Sequence, residues 1–402
     1  MSFIIGLGIV PGVIGGSYVA PVITVVSVVA FLFCMCRIKS GAWQRLGFGY
    51  AGLAVVLVYL AIDDSNVRRS QTMEEFAPAL AGDEKSYEVL MRYGKNHPLG
   101  KDFSFQPNAR LYRGKGAFRP KDPAWKTWLE ANRSDLENNW AQLEPVRNWW
   151  TELNTFDRIG DLTPSQLDAE IPAFAPIRAY AQHACAIASL QAIEGKGDAA
   201  VETLVPVLEV GRKLETTSRT LVRSMIAIVA QKMTLEAAEF VLNTAEVSPA
   251  SRARLVAAID IGRPGETGAR RLIGIEYTWA ANLLFKEKMG NILATEFTGE
   301  SMFKEWRRQA LNPLTPFVFN SRRTINLYAD LADELADLAG RRETDRIKTR
   351  TEEFCGSAGR AGFKNVGGSI AVAITVPAYS KIIESFWMTE DLRTALAERL
   401  KV

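Results

Sequence analysis

Residues 177–214 run IRAYAQHACAIASLQAIEGKGDAAVETLVPVLEVGRKL, and their spacing sets the reading of the whole body. Apolar side chains recur three and four positions apart, the period of a helix face packed against a core. The spacing predicts one helix over Ile177–Glu194 and a second over Asp198–Leu214. Gly195-Lys196-Gly197 is the turn between them, with Asp198 as the expected N-cap. The same period continues outward. It predicts helices over about 74–92, 218–243, 249–261, 268–288, 316–338 and 369–400, with few alternating runs that would suggest strands. Thr163-Pro164 with Gln166, and Ser248-Pro249, carry the cap-and-proline signature of helix starts. The expected class is all-α.

Upstream of the hairpin, Trp125, Trp128, Trp140, Trp149 and Trp150 join Leu129, Leu136, Leu143 and Leu153 in a stripe at helical spacing, interrupted at Pro145. Indoles in such a stripe are expected in a core or along a helix–helix seam, with glycan or lipid stacking as the alternative. Residues 95–123 are rich in proline and glycine and read as an irregular segment.

The N-terminus has a different character. Arg37 is the first charged residue of the 402-residue chain, and the stretch from Tyr18 to Cys36 is almost wholly apolar. A second uncharged run, Leu46 to Ile62, follows a connector bearing Arg37, Lys39 and Arg45. Each run has about the 17–25 residues that a bilayer-crossing helix needs. A transmembrane hairpin over residues 1–62, with spans near 18–36 and 46–62, is therefore expected. A membrane-proximal helix and linker over 63–123 and a helical body over 124–402 would follow it. The unopposed positive connector would stay cytoplasmic. That places both termini and the body on the periplasmic side of a bacterial inner membrane. Residues 365–380 form another uncharged run, between a buried helix and a third span within 365–388.

Charge excludes one large class. The chain has 48 basic and 45 acidic residues, and the excess of three lies in the connector, so the body is formally neutral. Nucleic acid is not an expected partner; the lipid bilayer and an unidentified protein are. Arg110, Arg113, Lys115, Arg119 and Lys121, interleaved with Tyr112, Phe118 and Trp125, make the one concentrated basic run. They are candidate contacts for anionic headgroups, or else a solvated loop.

Chemical signatures are sparse. Two histidines, His97 and His183, leave no HExxH pair, and neither a phosphate-binding loop nor a GxSxG elbow is present. No metal, cofactor or catalytic residue is assigned. Of four cysteines, Cys185 and Cys355 lie in the body, as buried thiols or as a disulfide. Glu202, Glu209, Glu236, Glu239 and Asp260 read as solvated helix faces. Arg223 and Glu276 each interrupt an apolar stretch, where an unpaired buried charge is costly. They are expected either to pair with each other across two helices or to face water.

The Ala192–Ala200 turn resembles the interhelix turn of tetratricopeptide-like hairpins, without a recurring 34-residue period. The hairpin at 184–214, the helix at 220–242 with Leu221-Val222-Arg223, and the late segment beginning Asn365-Val366-Gly367-Gly368 resemble uncharacterised bacterial membrane-associated helical envelope proteins. The likeness covers the last 220 residues in patches. It implies a helical, membrane-associated protein and carries no site. The function expected is a membrane-anchored periplasmic scaffold or protein-interaction module. An envelope hydrolase using carboxylates on lipid or glycan, or an accessory subunit of a transport complex, is the alternative.

Overall fold

The structure is a computed structural model that describes residues 84–92, 120–164, 174–260, 265–286, 320–358 and 379–401, besides isolated positions. Among the described residues there are twelve helices and no strand; the protein is all-α. The candidate spans at 18–36 and 46–62, most of the 365–380 run, and Arg110, Arg113, Lys115 and Arg119 lie outside the described residues. No helix among the described residues is long and apolar enough to cross a membrane.

The chain divides into two compact units. The larger comprises Gln71–Trp279, Glu334–Ile347 and Tyr379–Val402; the smaller comprises Met1–Ser70, Ala280–Asp333 and Lys348–Ala378. In chain order the first helices are α1 (Glu84–Met91), α2 (Trp125–Ala131), α3 (Arg133–Gln142) and α4 (Glu144–Asn154). The central helices are α5 (Phe174–Ile193), α6 (Gly197–Thr217), α7 (Leu221–Thr244) and α8 (Pro249–Asp260). The last are α9 (Gly265–Lys286), α10 (Ser321–Gly340), α11 (Thr344–Ala358) and α12 (Tyr379–Lys401). Helices α9, α10 and α11 each contribute residues to both units.

In the larger unit, α5, α6 and α7 pack on one another, with α4 against α6, α8 against α6, and α12 against α7 and α8. Three of the five tryptophans in the stripe are core residues, and Trp128 and Trp140 are half-buried. Trp125, Trp149 and Trp150 are buried, and each indole N–H has an acceptor. Trp125 donates to Ser189 Oγ at 3.1 Å, Trp149 to Val89 O at 2.7 Å and Trp150 to Pro206 O at 2.9 Å. Trp150 stacks on Tyr180 with ring centroids 4.6 Å apart, and Trp140 covers the same tyrosine at 5.7 Å. A buried indole needs both an apolar slot and a partner for its N–H, and these three have both. A second apolar cluster joins Val201, Leu204 and Leu208 of α6 to Leu235 and Val241 of α7, Leu255 and Ile259 of α8, and Leu396 of α12.

The 194–198 turn forms differently from its expected cap. Gly195 takes a positive φ of 76° and ends α5, but the N-cap of α6 is Lys196, with no side-chain cap. Asp198 lies within the first turn of α6, and its Oδ1 instead accepts the N–H of Ser248 at 2.8 Å, tying α6 to the start of α8. Gly197 is required by that crossing: a Cβ there would fall 2.1 Å from Glu246 O. Ser248 does cap α8, through Ser251 N–H to Ser248 Oγ at 3.3 Å, and Thr220 caps α7. Helix α11 was not expected from the spacing. It follows a turn in which Arg342 adopts a positive φ of 62° and lies 4.0 Å over the Trp387 ring.

Candidate functional site

Arg223 projects from the first turn of α7 and is 1 % exposed. Its partners lie on the chain between α4 and α5 and at the end of α6. Nη1 donates to Gly160 O at 2.6 Å, and Nη2 donates to Ile159 O at 2.6 Å and to Thr217 Oγ1 at 2.8 Å. Asp161 Oδ2 lies 3.6 Å from Nη1. The carboxylate also accepts the backbone N–H of Arg219 at 2.8 Å and, through Oδ1, the hydroxyl of Thr163 at 2.6 Å. Burial pulls the guanidinium down to about 10, and Asp161 opposes that shift.

The structure does not bring Arg223 and Glu276 together: no ion pair joins them. Glu276, on α9, accepts the backbone N–H of Leu221, and burial raises its carboxyl above the usual range. The first N–H groups of α7 have no intrahelical acceptor and carry the positive end of the helix dipole. That end holds the carboxylate, while the arginine of the same turn reaches the backbone carbonyls of Ile159 and Gly160. Lys121 is directed to protein: its Nζ lies 3.7 Å from Glu236 Oε1. Glu236 is itself buried, at 4 % exposure, so it is not the solvated face expected for it. His183 is buried with Nδ1 2.9 Å from Ala179 O. Cys185 is a free buried thiol that burial pushes up to about 12.

The arrangement with chemical potential lies elsewhere in the larger unit, among residues the sequence did not single out. A cavity of about 380 Å³ opens between α6, α7 and α9. Helix α6 supplies Arg212, Glu215 and Thr216, and α7 supplies Ser224. Helix α9 supplies Thr267 and Gly268 from its first turn, then Arg271, with Leu272 and Ile275 as an apolar wall.

Behind this cavity lies a buried charge cluster. Glu215 Oε2 accepts from Gln231 Nε2 at 2.7 Å, and Arg212 Nη1 is 3.4 Å from it. Arg393 of α12 donates to Gln231 Oε1 and to Glu390, and its Nη2 lies 4.0 Å from Glu215 Oε2. Glu390 accepts the backbone N–H of Gly265 at the start of α9; burial raises its carboxyl, while Arg393 opposes the rise. Gly211 admits Gln231 to this cluster, since a Cβ at 211 would fall 2.9 Å from Gln231 Cγ. Burial lowers both Arg212 and Arg271 from the ordinary arginine value, and Glu215 opposes this in each case.

The sequence hides this site because its charges come from three helices, α6, α9 and α12, spread from residue 212 to residue 393. Each sits beside ordinary surface charges such as Lys213 and Arg270, so no local motif forms. No group of three or more His, Cys, Asp or Glu with metal-binding geometry occurs among the described residues. In comparisons with known proteins, no family model, curated protein or solved structure matches the chain.

Proposed function

We propose that the chain is a membrane-anchored helical interaction module, its body held at the periplasmic face by the N-terminal apolar segments. The observation that carries the interaction role is a row of exposed apolar side chains on the central helix α7. Val222, Met225 and Val229 are 49 %, 39 % and 39 % exposed, at the i, i+3, i+7 spacing of one helix stripe. Met388 of α12, 44 % exposed, extends the row, with its Sδ 3.7 Å from Lys232 Nζ. Apolar residues exposed singly are ordinary, whereas a contiguous row edged by polar groups is the usual mark of a contact surface. Methionine suits such a face because its flexible thioether adapts to a partner. A helical scaffold or a transport-complex subunit would each use the row to seat another chain.

A photo-crosslinking residue at Met225, activated in intact membranes, tests this. A discrete adduct at position 225, absent when the probe sits at exposed Arg254, is the expected result. Equal labelling at the two positions removes the interaction role. Protease added to spheroplasts tests the address separately, because a body that resists digestion is not periplasmic.

A further inference from the structure

We infer that the cavity between α6, α7 and α9 is a binding site for a phosphate-type oxyanion, held by Arg212 and Arg271. The lining carries two guanidinium groups against one carboxylate. That carboxylate, Glu215, is already engaged by Gln231, Arg212 and the neighbouring Arg393. Glu390 and Arg393 neutralise each other behind it. One positive charge is therefore left over on the cavity wall, within a site that burial has already stripped of much solvent.

The donors of these arginines are not used up. Arg212 is 8 % exposed, and its one hydrogen bond is a long one, from Nη1 to Glu215 Oε2 at 3.4 Å; its Nε is sealed from solvent. A buried guanidinium normally finds acceptors for more of its N–H groups than this. Arg271 donates one hydrogen bond, to Ser218 O at 3.2 Å, and makes no ion pair among the described residues. A guanidinium has five N–H donors in a planar fork that matches phosphate oxygens. Ser224 of α7 and Thr267 of α9 add two hydroxyls to the lining.

This donor set suits phosphate better than carboxylate. Two guanidiniums and two hydroxyls, drawn from three helices, carry more N–H and O–H donors than the roughly four lone-pair positions of one carboxylate. A phosphate monoester offers three acceptor oxygens and a charge of about −1.5 to −2 at neutral pH. The volume exceeds what inorganic phosphate fills, and Leu272 and Ile275 give the remainder an apolar side. The ligand is thus a phosphate ester with an apolar substituent, either a soluble monoester or a lipid headgroup. The site stands apart from the apolar row on α7, so either assignment can fail without the other.

The test uses the full chain in a non-ionic detergent. Thermal shift and calorimetric titration would be run with phenyl phosphate, and with nanodiscs containing phosphatidate or phosphatidylcholine alone. Saturable binding of phenyl phosphate identifies the soluble monoester; binding restricted to phosphatidate nanodiscs identifies the headgroup. Arg271→Gln, at a partly exposed position, should weaken the response about tenfold or more. Ile275→Trp should block it by filling the cavity. Arg254→Gln, which removes an exposed pair with Glu202, should leave it unchanged. Circular dichroism of each variant checks the fold, and a variant that fails it is replaced by Arg271→Lys, which keeps the charge and loses the fork. The inference is overturned if no probe binds above a matched chloride control, or if folded Arg271→Gln and Ile275→Trp bind as the parent does.

Discussion

Arg223 Nη1 and Asp161 Oδ2 lie 3.6 Å apart across 62 positions of chain, in a pocket that exposes 1 % of the arginine side chain and none of the aspartate's. The pair is more than a Coulombic contact. The two terminal nitrogens of the guanidinium donate to two backbone carbonyls and the Thr217 hydroxyl, and the carboxylate accepts from Arg219 N–H and Thr163. It clamps the connection after α4 onto the start of α7. Asp161→Ala strands a buried cation and should cost about 3–5 kcal/mol. Urea unfolding of the variant checks this. In a double-mutant cycle, Arg223→Met with Asp161→Ala should be less destabilised than the two single losses added together.

Trp150 combines full burial, a stacked tyrosine and a hydrogen bond to Pro206 O. Trp150→Ala should therefore lose about 3–5 kcal/mol, and Trp150→Phe clearly less, since a ring still meets Tyr180. Chemical denaturation of both variants distinguishes a core tryptophan from one held at the surface for a ligand, whose removal would leave the midpoint unchanged.

Gly195 and Gly197, two positions apart in the α5–α6 turn, have different reasons to be glycine. Gly197→Ala drives a methyl group into the Glu246 carbonyl, a backbone atom that cannot swing aside. Gly195→Ala meets no neighbour and suffers only the cost of its positive φ. The first should destabilise by about 1–3 kcal/mol and the second by about 1 kcal/mol. Melting the two variants side by side tests the order; equal losses would remove the packing argument at 197.

Glu276 makes stability depend on pH. Its folded-state carboxyl is raised above the ordinary value of 4.5 by burial, with the Leu221 N–H acting against the rise. A raised folded value means that the folded chain holds the proton more tightly than the unfolded one. The stabilising contribution is then complete below 4.5 and is lost as pH climbs through the raised value. Glu276→Gln keeps an acceptor for Leu221 and removes the charge. It should melt above the parent at neutral pH, with the gap closing as pH falls below 4.5.

The thiol of Cys185, fully buried and shifted up to about 12, should not react with a maleimide in the native chain at pH 7. Labelling at Cys185 should appear only as denaturant unfolds the larger unit, which mass spectrometry of the digested protein would follow. Rapid native labelling would mean that the α5–α7 packing opens freely.

Much of the helical order was legible in local pattern. The α5–α6 hairpin, the Ser248 cap and the tryptophan stripe each rest on spacing within a few turns, and such spacing survives in the tertiary structure because an amphipathic helix has one face to bury. Asp198 shows where local reading stops. As a capping residue beside a glycine turn it fits the rule, yet the neighbouring chain at Ser248 offers its N–H to the same oxygen and takes it. Helix α11 was missed for a related reason: Ile347, Thr351 and Phe354 are too few to show a face, and the helix carries many charges.

From the order of its residues alone, this chain determined its all-α class, the position of its central hairpin and the formal neutrality of its body. Each of these depends on neighbours in sequence or on simple counting. Tertiary structure alone decided the partners of its buried charges. Arg223 went to Asp161 and not to Glu276; Arg212 and Arg271 came from two helices to line one cavity, with Arg393 of a third helix set against Glu215. A charge buried in a helix is satisfied by whatever packing brings within a few ångströms, and no periodicity along the chain records that distance.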